Sequence, residues 1–192
     1  MVARNDAVEP LEVVPDNDGQ KDAGPKVGPV VSSAHLAKSS LPAQSEFEFA
    51  LTMTVHAFHR WMTRCMTAAG EEGLSPLEVL VVHLVNHRDR PKTLADICLV
   101  LNIEDTHLVS YAVKKLAERG LVESGRKGKE KTVKITEKGT AVCERYGELR
   151  EALFIDSVKA LNIEGKDISN LAAMMRALSG SYDQAARAAA AM

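Results

Sequence analysis

The stretch from Thr93 to Gly139 constrains the fold most, because helix caps, helix stops and strand alternation follow one another there in an order that few architectures accept. Thr93 precedes Leu94, Ala95 and Asp96, so its hydroxyl and the aspartate carboxylate can each satisfy a free amide at a helix start. Leu94, Ile97, Cys98 and Leu101 recur at helical spacing and predict one buried face. Asn102-Ile103-Glu104-Asp105 breaks the pattern and supplies acidic residues suited to begin another helix. In that second helix Val109, Ala112, Val113 and Leu116 fall at i, i+3, i+4 and i+7, which turns Thr106, His107, Ser110, Tyr111 and Lys114 outward.

Gly120 is placed to stop the second helix, since the residue past a helix end commonly needs a positive φ. Leu121 and Val122 then open a strand, and Arg126 through Lys131 read as a polar turn. In the returning strand Val133 and Ile135 alternate with Thr132, Lys134 and Thr136. The next helix is predicted to begin at Thr136, with Glu137 in its first turn facing the positive end of the helix dipole. Helix, turn, helix and basic hairpin in this order predict a mainly α fold with a small β-wing, a winged helix-turn-helix.

The net charge is −2, so nothing in the overall balance marks a partner. Locally, Lys114, Lys115, Arg119, Arg126, Lys127, Lys129, Lys131, Lys134 and Lys138 outnumber Glu118, Glu123, Glu130 and Glu137. A local basic surface on an acidic protein is what phosphate contact requires, although lysines at a hairpin tip can also simply keep it soluble. Joined to a helix-turn-helix, the pattern points to double-stranded DNA. Thr106, His107, Ser110 and Tyr111 are the candidates for base edges or nearby phosphates, because hydroxyl, imidazole and phenol groups both donate and accept. Lys114, Lys115, Arg126, Lys127, Lys129 and Lys131 are the candidates for phosphate.

Two runs carry a family resemblance: Leu116-Ala117-Glu118-Arg119-Gly120-Leu121-Val122, and Lys131-Thr132-Val133-Lys134-Ile135-Thr136-Glu137-Lys138-Gly139. Together they resemble the MarR family of bacterial winged-helix repressors, over about the middle third of the chain. The resemblance implies a homodimer that binds a pseudo-palindromic operator, with a recognition helix in each major groove and the wings near the minor groove. It also implies a crevice for a small aromatic effector between the dimerisation helices and the DNA-binding lobe. His56, His59, Trp61, Met62 and Arg64 are its expected lining, with simple core as the alternative for Trp61 and Met62. The wing departs from the family pattern. Gly125-Arg126-Lys127-Gly128-Lys129 stands where an Asp-x-Arg motif is usual, which leaves Arg126 as the residue for the minor groove. Tyr111 likewise stands where an arginine is frequent.

The flanks complete the organisation. Pro10, Pro15, Pro25, Pro29 and Pro42 lie among polar residues with little apolar periodicity, which predicts a disordered tail over 1–43. Leu51, Val55, Phe58, Met62, Cys65 and Ala69 alternate by four and three, a seam suited to packing along another helix, so 44–72 is expected to be a dimerisation helix. Ser75-Pro76-Leu77-Glu78 opens a core helix within a DNA-binding domain expected over 73–140. Over 141–192, Tyr146, Leu149, Leu153, Val158 and Leu161 predict a long helix broken near Asn162 to Lys166. Ile168, Leu171, Met174, Met175 and Leu178 predict another, both assigned to dimerisation. No apolar signal core follows Met1 and no run approaches the ~20 apolar residues of a membrane span. A cytoplasmic protein without membrane contact is expected.

Chemistry is sparse. Cys65, Cys98 and Cys143 show no Cys-x-x-Cys spacing, which argues against a disulfide framework or a zinc ribbon. Cys65 and Cys143 remain open as oxidant sensors, and Cys98 lies on an apolar helix face. His83 and His87 are one helical turn apart, as, less ideally, are His56 and His59, but no third ligand is matched to either pair. With no nucleophile elbow, phosphate-binding glycine loop or His-Glu-x-x-His, neither an enzyme nor a cofactor is expected. Two other readings stay open: a winged helix that binds an acidic protein partner, and a regulator that senses metal or thiol state.

Overall fold

The computed structural model describes residues 29–88, 90–128 and 130–192, with Lys127 defined by its backbone alone. For residues 1–28 the expected tail lies outside the described residues. The described residues divide into two compact units, separated between Thr52 and Met53. In the first, a 3-10 turn at Leu36–Lys38 precedes the opening turns of helix α1 (Pro42–Ala68), and the Ser45 hydroxyl donates to the Leu36 carbonyl at 2.8 Å.

The second unit is built from local signals that the chain states clearly. Helix α2 (Pro76–Asn86) starts with Pro76 at its first position and a reciprocal cap in which the Glu78 amide donates to the Ser75 hydroxyl and the Ser75 amide to the Glu78 carboxylate. Thr93 and Asp96 cap α3 (Leu94–Leu101) in the same way. The Thr93 amide, as the largest cause, holds the Asp96 carboxyl below its ordinary pKa. Helix α4 (Thr106–Glu118) is capped by Asp105, which accepts from the His107 amide at 2.8 Å, and α5 (Glu137–Arg150) by Thr136.

Helices α3 and α4 close by one device. Asn102 adopts φ 53° and Gly120 φ 71°. In α3 the Ile103 amide returns to the Cys98 carbonyl at 2.9 Å; in α4 the Leu121 amide returns to Leu116 at 3.0 Å. Leu116 and Leu121 are both fully buried, the apolar contact that accompanies this closing motif.

The core gathers Met62, Met66, Val81, Val82, Ile97, Val109, Leu116 and Leu121, all essentially inaccessible. Each such side chain contributes roughly 1.5–3 kcal/mol by leaving water. Val109, Ala112, Val113 and Leu116 form the buried stripe of α4, as their spacing predicts.

The sheet has three strands in the order β1-β3-β2, all antiparallel: β1 (Lys92–Thr93), β2 (Val122–Lys127) and β3 (Glu130–Ile135). Three differences from the sequence expectation appear here. Strand β1 was not expected, because two residues carry no alternation. The polar turn expected over Arg126 to Lys131 is narrower, since β2 and β3 run through its ends and pair Arg126 with Lys131 and Lys127 with Glu130. Thr132, expected to face out, is buried, because β3 is the central strand and sets it between Thr93 and side-chain-less Gly125.

Lys92 is buried at 5% exposure, and its ammonium donates to the Val85 carbonyl at 3.1 Å, the Arg90 carbonyl at 3.2 Å and the His87 carbonyl. It thereby places a positive charge on the negative end of α2.

Beyond the wing, α5 runs into a π-helical turn at Glu151–Ile155, then α6 (Asp156–Lys159). The break expected near Asn162 is present, with Asn162 at φ 53°, before α7 (Gly165–Ala189). Helix α7 contains no buried residue.

Candidate nucleic-acid interface

Helix α4 presents the outward stripe that its periodicity predicts. Thr106, His107, Ser110, Tyr111 and Lys114 are all exposed, Tyr111 at 69%. Leu108 is exposed as well, at 53%, and extends the stripe with an apolar group suited to a thymine methyl. An apolar residue one position off the buried stripe reads in sequence as core margin, so only the structure places it among the surface groups. Lys114 makes a single exposed 3.9 Å pair with Glu118, a contact of the kind worth little in water, so its ammonium stays available.

The wing stands beside this stripe. Arg126 and Lys131 are directly opposite one another on β2 and β3, both exposed. Like charges in a cross-strand pair repel, and an anion between them would relieve that repulsion. Lys129 lies outside the described residues. Between α4 and the hairpin runs a cleft of about 540 Å³, with Ser110, Lys114 and Lys131 on its walls and Val113 and Val133 at its base.

Lys115 differs from its neighbours. Its ammonium is 2.9 Å from the Glu78 carboxylate, which is 4% exposed, and it also donates to the Gly73 carbonyl at 3.2 Å. Glu71, 7% exposed, pairs with Lys138 at 2.6 Å and Arg119 at 3.4 Å. The stretch 71–78 thus holds three of the cations counted in the basic run. No sequence signal marks these pairs, whose members lie 37 or more positions apart.

The expected effector residues fall into different settings. Met62 belongs to the core, and Trp61 is half-buried and stacked on Phe154, with ring centres 5.5 Å apart and planes at 28°. His56 and Arg64 are exposed and His59 is half-buried. The structure brings Phe154 of the π-helical turn to this group, a residue the sequence did not single out.

All three cysteines are free and buried. Burial pushes the Cys65 thiol up, and burial with the nearby Glu144 carboxylate pushes Cys143 up to about 11. Both therefore stay protonated near neutrality, the less reactive form. His83 meets the Tyr146 ring edge-on at 4.5 Å, while His87 closes α2 at the exposed surface. Among the described residues no group of three or more His, Cys, Asp or Glu side chains could hold a metal ion, and no helix is long and apolar enough to cross a membrane.

Residues 74–139 match the family model described as a winged helix DNA-binding domain. No curated protein matches the chain by sequence. Among solved structures, a MarR family regulator from Neisseria meningitidis superposes with a TM-score of 0.59 at 20% identity, covering 74% of this chain and 94% of its own. The chain has the MarR-type winged helix fold. CouR from Rhodococcus jostii, solved bound to p-coumaroyl-CoA, covers 70% of this chain and 92% of its own, with a TM-score of 0.56 at 14% identity. MepR from Staphylococcus aureus, solved as a DNA complex, covers 71% and 97%, with a TM-score of 0.56 at 13% identity. At these identities the MarR-type likeness is one of architecture, and the chain's own residues must carry the functional argument.

Proposed function

We propose that the protein is a dimeric, sequence-specific DNA-binding transcriptional regulator that acts as a repressor. One observation carries the reading: the polar outward stripe of α4 lies beside a wing on which the exposed cations Arg126 and Lys131 stand directly opposite one another. Thr106, His107, Ser110 and Tyr111 read base edges or grip adjacent phosphates, and Leu108 packs on a thymine methyl. Lys114, Arg126, Lys127, Lys129 and Lys131 anchor phosphates. Lys115 is left out of this set because Glu78 already engages it.

Dimerisation is supported by apolar groups that one copy leaves in water. Ile168, Leu171, Met175 and Tyr182 are exposed and, with half-buried Leu178, are spaced by three or four along α7, and Val55 and Phe58 are exposed on α1. Such a seam is costly unless covered, and a second copy covers it with the same surface. Two recognition helices related by a two-fold axis read half-sites roughly 34 Å apart.

An effector site is proposed around the Trp61 and Phe154 rings, with His56, His59 and Arg64 on the same helix supplying polar groups. A ligand that releases DNA binds the DNA-incompetent arrangement more tightly.

A gel-shift titration against the DNA immediately upstream of the protein's own gene, in excess random competitor, tests the main reading. The wild type is expected to retard a fragment containing an inverted repeat but not a single half-site, and Arg126→Glu with Lys131→Glu is expected to abolish the shift. Failure of the wild type to bind any genomic fragment at low salt would shift the reading to a winged helix that engages an acidic protein.

A further inference from the structure

We propose that Glu71 and Glu78 limit sequence-independent DNA affinity by withholding Lys115, Arg119 and Lys138 from phosphate. The inference rests on the DNA-binding reading above and deepens it.

Each of the three cations has a nearly buried carboxylate and a backbone carbonyl as partners. Lys115 is shared between Glu78 and the Gly73 carbonyl. Arg119 is shared between Glu71 and the Glu72 carbonyl, the latter at 2.7 Å. Lys138 is shared between Glu71 and the Arg119 carbonyl at 2.9 Å. Glu78 is fixed a second time, since the Ser75 amide donates to it at 2.8 Å.

Position alone does not keep Lys115 and Arg119 from DNA. Lys115 and Arg119 line the same shallow groove of α4 as Tyr111 and Lys114. What separates Lys114 from them is its partner: an exposed Glu118 at 3.9 Å, against carboxylates that are 4% and 7% exposed. A cation that left Glu71 or Glu78 for a phosphate would take a charge partner from a carboxylate largely out of water, and weakening a buried pair in that way is unfavourable. The exchange therefore gains little from the DNA.

The consequence falls on affinity because phosphate neutralisation supplies almost all of the affinity for random sequence, whereas base contacts supply the discrimination. Withholding cations lowers binding to every sequence alike and leaves the reading stripe untouched. Operator preference, a ratio of the two affinities, is left unchanged while both affinities fall.

The test compares wild type, Glu71→Gln and Lys138→Met on the upstream fragment and on a random duplex across a salt series. Glu71→Gln is expected to tighten binding to both duplexes at low salt and to steepen the salt dependence of each by about one for each freed cation that gains a phosphate, with the operator-to-random ratio unchanged. Lys138→Met, in an exposed side chain, is expected to keep the wild-type slope. A Glu71→Gln variant that weakens both duplexes equally with an unchanged slope would show a purely structural residue and overturn the inference. Should Glu71→Gln fail to fold, Glu78→Gln, whose side-chain oxygen can still accept from the Ser75 amide, decides through Lys115: a steeper slope supports the proposal and an unchanged slope overturns it, as does a Lys138→Met slope flattened by about one. Wild type that binds neither duplex overturns the inference together with the DNA reading, whereas wild-type operator binding with an unaltered Glu71→Gln overturns the inference alone.

Discussion

His83 shows how a single side chain ties stability to acidity. Its Nε2 is buried without a hydrogen-bond partner among the described residues, and burial lowers its pKa below the ordinary 6.5. The unfolded chain therefore takes up the proton more readily than the folded one. Stability contributed by the neutral ring is complete above about pH 6.5 and is lost as pH falls from there toward the lowered folded value. The urea midpoint is expected to drop between pH 7.5 and pH 5, and His83→Leu should reduce that drop; an equal drop in the variant would assign it to other groups. The cysteines illustrate the opposite consequence of burial. A thiol raised to about 11 at Cys143 is a poor nucleophile at neutral pH, which weighs against the thiol-sensing alternative.

Helix α5 carries the clearest contrast at the level of elements. A Cβ on Gly139 would sit 2.1 Å from the Leu121 carbonyl oxygen and 2.6 Å from Ile135 Cδ1, whereas one on Gly147 would meet nothing within 4 Å. Gly139→Ala should therefore destabilise by about 1–3 kcal/mol, through overpacking where the helix start crosses the sheet. Gly147→Ala should stabilise by up to about 1 kcal/mol through helix propensity. Urea denaturation of both variants checks the pair, and a shift of the same sign in each would refute the packing argument. The glycine in the Lys138-Gly139 run, visible in sequence only as part of a family-like motif, thus acquires a steric cause. Most element boundaries were legible beforehand because their signals are local: Ser75 and Glu78, Thr93 and Asp96, Asp105, Gly120 and Thr136 all act within about one helical turn. The stripe of α4 was legible for the same reason. Strand β1 was not, since Lys92 and Thr93 become a strand only because β3 lies beside them. The Glu71 and Glu78 pairs and the Trp61–Phe154 stack were equally invisible, as each joins residues distant in the chain.

For the whole molecule, the proposed effector site and the proposed operator contacts lie on different elements, so any coupling must show as a shared equilibrium. The chain contains one tryptophan, which makes its emission a report on Trp61 alone. A simple phenolic acid is expected to quench that emission and to release the upstream fragment over the same concentration range; release at concentrations that leave emission unchanged would place the effector elsewhere. Asn102 donates to the Asp183 carboxylate at 3.2 Å, so α7 touches the turn that leads into α4. The left-handed residues Asn102 and Gly120 bracket α4, and its buried stripe, with Lys115 on Glu78, keys it to the core. The segment between them is in effect an exchangeable cassette. Its outward letters can drift from one generation to the next without disturbing the frame, so descendants of this chain could acquire new DNA targets while inheriting an unaltered scaffold.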